Sequence, residues 1–398
     1  MTEVRGDVHP DFSAAADLLA GFVETDGVGG GAVAAYHRGH KVVDVWAGDA
    51  APGRSWAADT IAMSFSTTKG VTATALHMCV DRGLLDYDDR VAAHWPEFGC
   101  NGKEDITVRQ VLCHEAGLYP VRPLIDHALS MNDWDEMVRV LQEARPVVEP
   151  GTANGYHGLT YGWLVGELVR RTSGKDLGTF VRTEIAGPLG LDGLYIGVPE
   201  SELGRVATLI PGEDVARGAA RGASGLAGAG GPMAKMAAAM GLEIDPKRIV
   251  DALLPSGMNE WIEHPETVKA QVPAANGCFT ARSLATMYAA LAAGGRLGDV
   301  ELLSAETLAR ATEVQNTRPD LVIVMPMSWR LGYHMAFTSE GIPPKAFGHY
   351  GFGGSGAWAD PDHDVSVAFT CNRLGGTAVG DLRMAEIGAA VWRAAQAR

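Results

Sequence analysis

Ser66 and Lys69, in the run Ser-Thr-Thr-Lys, are the pair whose residue types and spacing most directly suggest chemistry. The pattern predicts a helix over 66–84, and residues three apart on a helix share a face, so the lysine amine can approach the serine hydroxyl. A serine hydroxyl is a weak nucleophile until a base takes its proton, and a desolvated lysine with a lowered pKa can be that base. The same four residues would also suit an N-cap serine beside an exposed lysine, so the surrounding motifs must decide.

Four further segments supply that context. Residues 106–118 read Ile-Thr-Val-Arg-Gln-Val-Leu-Cys-His-Glu-Ala-Gly-Leu, 156–158 read Tyr-His-Gly, 273–282 read Pro-Ala-Ala-Asn-Gly-Cys-Phe-Thr-Ala-Arg, and 347–356 read Phe-Gly-His-Tyr-Gly-Phe-Gly-Gly-Ser-Gly. Together with the Ser66 run, these motifs resemble the serine β-lactamase and penicillin-binding superfamily. The likeness is closest to its class C-like branch, which includes the family VIII carboxylesterases, and it extends from about residue 12 to residue 395.

The resemblance implies a role for each matched residue. Ser66 would be the acylated nucleophile, Lys69 its proton acceptor and Tyr156 a second titratable group that relays protons. Whether the working base is neutral Lys69 or a Tyr156 phenolate held by a Lys69 ammonium stays open, because the two groups would titrate as a coupled pair. The backbone N–H groups of Ser66 and Phe352 would form the oxyanion hole.

Two positions depart from the β-lactamase pattern. Gly158 stands where the second motif usually ends in Asn, whose amide helps to hold an acylamino side chain. His349 stands where β-lactamases of this superfamily usually carry Lys, so the positive charge that meets a β-lactam carboxylate is missing or only partial at neutral pH. His349 is nevertheless predicted to bind substrate, as is Gly351, where the backbone can lie close to a ligand.

These departures favour esters over β-lactams or peptides, while the residues for acyl transfer are all present. The sequence therefore predicts a serine carboxylesterase that cleaves small carboxylic esters through an acyl-Ser66 intermediate, without a metal or an organic cofactor. Two alternatives remain on the same scaffold: an acyltransferase with an alcohol acceptor, and a weak β-lactamase or D-amino-acid peptidase. A non-catalytic binding protein is disfavoured, because Ser66, Lys69 and Tyr156 occur together.

Other candidate sites have weaker support. The chain lacks the Gly-x-Ser-x-Gly elbow of an α/β-hydrolase, and Ser355 in the nearest match is predicted to be structural. Cys113 is predicted to pack at a helix end. His363 lies in the polar run Asp-Pro-Asp-His-Asp at 360–364, which is typical of a hairpin turn and is not accompanied by a spaced set of metal ligands.

Composition restricts the partners. Acidic residues outnumber basic ones by 48 to 33, which gives a formal charge of −15. Nucleic acids and anionic membrane surfaces require clustered Lys and Arg, so neither is predicted as a partner. The resemblance implies a small-molecule ester as the partner, and the oligomeric state is left open. The five scattered cysteines, the absence of a signal-peptide pattern and the lack of a long apolar run predict a cytoplasmic protein.

The predicted fold class is α/β (α+β), β-lactamase/transpeptidase-like, with an antiparallel sheet flanked by helices plus an inserted, mainly helical domain. Residues 1–95 and 275–398 would form the discontinuous α/β domain, and 96–274 the insertion. Within the insertion, the Gly/Ala-rich segment 217–241 is either a surface loop leading into a short helix or a flap over a site. Helices are predicted at 10–25, 66–84, 106–114, 160–173, 281–294 and 381–397, and strands at 31–36, 41–46, 328–336, 346–350, 355–360 and 365–372.

Overall fold

A central antiparallel sheet organises the protein, for which a computed structural model describes residues 2–211, 244–375 and 381–398. The Gly/Ala-rich segment 217–241 lies outside the described residues, so its two interpretations stay predictions. The described strands are β1 (Val4–Val8), β2 (Gly30–His37), β3 (His40–Ala51), β4 (Arg54–Ser55), β5 (Ala62–Met63), β6 (Leu194–Tyr195), β7 (Ile210–Pro211), β8 (Cys278–Phe279), β9 (Arg296–Leu297), β10 (Val300–Glu301), β11 (His334–Met335), β12 (Phe347–Tyr350), β13 (Gly356–Asp360), β14 (Val365–Cys371) and β15 (Arg373–Leu374).

The sheet joins the two ends of the chain. Its described strands lie in the order β1-β3-β2-β14-β13-β12-β11, with β4 paired to β3, and each neighbouring pair is antiparallel. The predicted hairpin around 37–40 is confirmed as β2–β3. Because β2 and β14 are neighbours, residues more than 300 positions apart in sequence share one sheet.

The described helices are α1 (Ser13–Asp26), α2 (Thr68–Asp81), α3 (Val91–His94), α4 (Val108–Leu112), α5 (Trp134–Glu143), α6 (Tyr161–Ser173), α7 (Leu177–Phe180), α8 (Pro246–Leu253), α9 (Met258–Glu263), α10 (Ala281–Ala292), α11 (Ala305–Thr312) and α12 (Arg383–Gln396). Helices α1 and α12 cover one face of the sheet, and α10 covers the other. Side chains of β14 alternate between these layers. Val367 packs in the α1/α12 core, whereas Ser366 donates a hydrogen bond to the Ala285 carbonyl of α10.

Helix α2 has no exposed face over most of its length. All residues from Thr68 to Val80 are buried, and the helix packs against α6 and the surrounding core. Helices that are buried all round belong to the interior of a large core. The residues at the amino end of α2, including Lys69, are therefore held by the protein interior on every side.

One predicted strand is wrong for most of its length. Residues 328–336 were expected to be extended, but only His334–Met335 form a strand. Ser328 has φ 46° and Gly332 has φ 79°, both in the left-handed region, and these values interrupt an extended backbone. The other predicted strands and helices agree with the described elements to within a few residues at their ends.

Most described elements between residues 91 and 263 are helices, and the described strands in this range are only two residues long. The division of the chain into domains at residues 95 and 274 stays a prediction. Within the described ranges, no helix combines the length and apolarity that crossing a membrane requires.

Candidate active site

Ser66, Lys69 and Tyr156 meet at one point, as the motifs predicted. The Ser66 Oγ lies 3.0 Å from the Lys69 Nζ, and the Tyr156 hydroxyl donates a hydrogen bond of 2.8 Å to the same Oγ. Ser66 lies in a 3-10 turn immediately before α2, and Lys69 lies in the first turn of the helix, so local geometry sets their spacing. Tyr156 comes from a loop 90 residues away and depends on tertiary structure for its position.

Two backbone carbonyls orient the Lys69 amine. Its Nζ donates to the Gly158 oxygen at 2.7 Å and to the Ala274 oxygen at 2.9 Å. The side chain is fully buried, and no carboxylate pairs with it among the described residues. Burial therefore holds the pKa of Lys69 well below its ordinary value. A neutral amine has two N–H groups, which the two carbonyls accept, so its lone pair faces the Ser66 hydroxyl.

Burial has the opposite effect on Tyr156, because its charged form is the anion. Desolvation raises the pKa of the phenol above its ordinary value, and the hydrogen bond with Ser66 opposes this only in part. The two shifts together favour a neutral tyrosine beside a neutral lysine. In this arrangement the Tyr156 hydroxyl donates a hydrogen bond to the Ser66 Oγ, and the Ser66 hydroxyl donates one to the Lys69 Nζ.

The turn that carries Ser66 has a strained backbone. Phe65, the preceding residue, has φ 45°, a conformation uncommon for a large L-residue. Its ring packs edge-on against the ring of Phe352, with centroids 5.4 Å apart. This contact brings together the two segments whose N–H groups are predicted to form the oxyanion hole. Neither the Ser66 nor the Phe352 backbone N–H donates a hydrogen bond within the described part of the chain.

Gly351 has no room for a side chain, because a Cβ at this position would lie 2.2 Å from the Ser64 oxygen and 2.4 Å from the Ser355 Oγ. Its contact with a substrate stays a prediction. Ser355 is structural, as predicted, because its hydroxyl donates to the Ser64 oxygen at 2.9 Å. These contacts lock the end of β12 onto the turn that carries Ser66.

His349 is buried beside the site and carries no charge at neutral pH. Desolvation and the neighbouring His334 and Lys69 hold its pKa well below the ordinary value. Its Nδ1 lies 3.0 Å from the Tyr350 carbonyl and donates to it, while the Nε2 is buried without a partner among the described residues. The ring stacks at 6.3 Å from that of Tyr156. The positive charge of the β-lactamase pattern is thus missing, and substrate binding by His349 stays a prediction.

Asp320 is a positioning residue that sequence reasoning missed. Its buried carboxylate accepts hydrogen bonds from the backbone N–H of Tyr156 (3.0 Å), Val322 (2.8 Å) and Ile323 (3.0 Å) and from the Asn154 side chain (3.1 Å). It thereby ties the Tyr156 loop to the turn at 320–324. The available signal in the sequence was a single acidic residue at the start of the apolar run 321–327. An Asp at such a position is typical of a turn in which its side chain accepts hydrogen bonds from nearby backbone N–H groups.

Two neighbouring rings set the orientation of Tyr156. Trp329 stacks on it with centroids 5.7 Å apart and an interplanar angle of 11°, and His114 meets it at 5.0 Å. The His114 Nδ1 also accepts the His157 backbone N–H at 3.1 Å. Trp329 belongs to the segment that was predicted as a strand, so the irregular backbone there serves to present this ring.

The remaining candidates lie outside the site. The five cysteines are free, and burial raises the pKa of the Cys113 thiol above its ordinary value. His363 lies in the predicted turn, with its Nδ1 2.6 Å from Asp360. Within the described ranges, no group of three or more His, Cys, Asp or Glu side chains is arranged to hold a metal ion.

The chain is similar to known proteins over most of its length. The family model described as Beta-lactamase matches residues 15–390. Among curated proteins, the chain is 38 % identical over 385 residues to "Esterase/beta-lactamase LipL" of Mycobacterium tuberculosis, a match that covers 93 % of this chain and 83 % of the relative. Among solved structures, it resembles a family VIII carboxylesterase (33 % identity, TM-score 0.85) and a penicillin-binding protein homologue from Caulobacter crescentus (34 %, TM-score 0.82), with 98 % of this chain and 100 % of each structure covered.

The Asp320 contacts predict a difference between two substitutions. Asp320→Ala leaves three buried backbone N–H groups without an acceptor, so we expect the free energy of unfolding to fall by about 3 kcal/mol. Asp320→Asn should lose no more than about 1 kcal/mol, since its oxygen still accepts those N–H groups. A flip of the Asn154 amide would turn its unpartnered Oδ1, in place of its Nδ2, toward the new amide N–H groups. Urea unfolding of the three proteins measures this, and equal losses in both variants would contradict the assigned role.

The lowered pKa of Lys69 predicts a pH dependence of stability. Between that lowered pKa and the ordinary lysine value, the unfolded chain binds one more proton than the folded chain, so Lys69 makes stability rise with pH. Lys69→Met removes this contribution. We therefore expect the free energy of unfolding of wild type, minus that of the variant, to increase from neutral pH to about pH 9. Parallel pH profiles would mean that Lys69 is charged in the folded protein.

Proposed function

The chain belongs to the β-lactamase family, and we propose that it is a serine carboxylesterase that cleaves small carboxylic esters through an acyl-Ser66 intermediate. The observation that carries this proposal is the meeting of the Tyr156 hydroxyl and the Lys69 amine at the Ser66 Oγ, with the buried amine also directed to two carbonyl oxygens. The esterase named among its curated relatives and the carboxylesterase among its structural neighbours support the same activity.

Acylation starts with attack by the Ser66 Oγ on the ester carbonyl carbon. The serine proton passes to the Lys69 lone pair, and the carbonyl electron pair moves to oxygen, where the N–H groups of Ser66 and Phe352 stabilise the negative charge. The intermediate then collapses, and its bond to the alcohol oxygen breaks. Tyr156 relays the proton from the Lys69 ammonium to the departing alkoxide, which leaves acyl-Ser66 and a free alcohol.

Deacylation repeats these steps with water as the nucleophile. Water attacks the acyl carbon and gives a proton to Tyr156, which passes its own phenolic proton to the neutral Lys69 amine. The proton on Lys69 then moves to the Ser66 Oγ as the acyl–serine bond breaks. The products are a carboxylic acid and the original enzyme. Transfer to an alcohol would follow the same route with an alcohol in the place of water.

The electrostatics of the site favour a neutral ester over a β-lactam. A β-lactam carboxylate would meet neutral His349 where the family's β-lactamases usually carry a positively charged lysine. The lowered pKa of His334, about 4, means that this second buried imidazole is neutral as well at pH 7. A neutral ester requires no such counter-charge. The free, scattered cysteines suit a reducing compartment, and we propose a cytoplasmic location.

The acyl-enzyme is tested by the intact mass of the protein after brief exposure to p-nitrophenyl acetate. Wild type should gain one acetyl mass that decays with time, because Ser66 is acylated and then hydrolysed. Ser66→Ala should gain none, whereas Ser201→Ala, at an exposed serine, should behave as wild type. Equal labelling of Ser66→Ala and wild type would exclude Ser66 as the nucleophile, and release of ester rather than acid in added alcohol would indicate an acyltransferase.

The relay role of Tyr156 predicts a dependence on the leaving group. Tyr156→Phe should lower kcat/KM for an alkyl acetate by about 100-fold or more, because an alkoxide needs a proton as it departs. The loss for p-nitrophenyl acetate should be much smaller, since p-nitrophenolate leaves without one. Tyr195→Phe, at a partly exposed tyrosine, is the control. An equal loss for both esters would rule out proton relay to the leaving group.

A further inference from the structure

A leucine side chain occupies the space into which a side chain on Gly158 would extend. A Cβ on Gly158 would lie 2.0 Å from the Leu253 Cδ2, and its next neighbours would be the Leu253 Cγ and the Ala252 oxygen, each at 3.5 Å. Gly158 is also the residue whose carbonyl accepts the Lys69 amine. A leucine methyl group therefore lies against the backbone that orients the base.

Helix α8, which carries Leu253, is fixed against the body of the protein. The Asp251 carbonyl accepts the Val121 backbone N–H at 2.7 Å, and the Leu254 carbonyl accepts a guanidinium N–H of Arg122 at 2.8 Å. Leu253 remains partly exposed at the end of this helix. Its side chain therefore has a fixed position beside the site and is not fully enclosed in the core.

A second group of apolar side chains packs in the same cluster as Tyr156. Leu321, Ile323 and Met325 are partly exposed and pack, like Leu253, against the cluster that contains Tyr156 and Trp329. The Asp320 hydrogen bonds hold this segment, and Val324 within it has φ 68°, which is rare for a β-branched residue. Backbone of this kind persists only where surrounding contacts enforce it, and it is common at ligand sites.

We propose that Leu253 and the segment 321–325 form a subsite for a hydrocarbon group of the ester, so that esters bearing an amide at the same position are poor substrates. This inference rests on the proposed esterase function. An amide placed against these side chains would lose its hydrogen bonds to water without forming a full set with the protein. An alkyl or aryl group at the same place would gain favourable free energy from the burial of its apolar surface. The Ala252 oxygen is the nearest polar atom to the position that a Cβ of Gly158 would occupy, and it can only accept a hydrogen bond.

The test compares kcat/KM for esters that differ only in polarity, each divided by the rate of its hydrolysis by hydroxide. In one arm the acyl group varies, with p-nitrophenyl pentanoate against p-nitrophenyl N-acetylglycinate. In the other arm the alcohol varies, with pentyl acetate against acetamidoethyl acetate. The arm that responds identifies which part of the ester occupies the subsite.

We expect wild type to prefer the hydrocarbon ester by about tenfold in at least one arm. Leu253→Asn introduces a side chain of similar size that is polar, and it should reduce that preference by about fivefold. The control is Leu254→Asn, the same change at the next residue, which is similarly exposed, and it should leave the preference within about twofold of wild type. Leu253→Ala should lower it by about threefold, because water then reaches the amide, and this variant serves if the Asn variant does not fold.

An unchanged preference in both Leu253 variants, or a wild type that prefers the amide esters in both arms, would overturn the subsite while Ser66-dependent hydrolysis continued. Absence of any Ser66-dependent ester turnover in wild type would instead overturn the proposed function, and the subsite with it.

Discussion

The site depends on the burial of one amine without a carboxylate partner. Lys69 is enclosed on every side, and two backbone carbonyls accept its N–H groups while the Ser66 hydroxyl faces its lone pair. Taking an ammonium group out of water is so unfavourable that the neutral amine becomes the accessible form, and a neutral amine has the lone pair that a base needs. An acidic neighbour would cancel this effect, because it would stabilise the charged form.

Much of the architecture serves to keep that enclosure intact. Helix α2 is buried from Thr68 to Val80, the carbonyl of Gly158 comes from the Tyr156 loop, and that of Ala274 comes from the segment before α10. The Thr72 hydroxyl donates to the Pro273 carbonyl at 2.7 Å, which fixes that segment against α2. A change in the position of either loop would expose the amine to water or remove one of its acceptors.

Other buried titratable side chains of the protein are also uncharged. Burial lowers the pKa of His77 and His157 to about 3, so these side chains carry no charge near Lys69 at neutral pH. The acidic residue that is hydrogen-bonded to Tyr156 is Asp320. Its carboxylate accepts backbone N–H groups and makes no hydrogen bond to Lys69. The same absence of charge that favours a neutral base also makes the site suited to uncharged substrates.

The sequence alone predicted the features that depend on local order along the chain. The spacing of Ser66 and Lys69 is set by one helical turn, and β2, β3 and β14 follow from alternation and turn residues, because these patterns arise from backbone geometry over a few residues. The family motifs placed Tyr156 beside Ser66, although the two are 90 residues apart. Tertiary structure alone decided the contacts of Asp320 with Tyr156 and of Leu253 with Gly158, which join residues 164 and 95 positions apart. An isolated Asp or Leu has no periodicity or spacing to signal such a contact, since its partner is determined only when the chain folds.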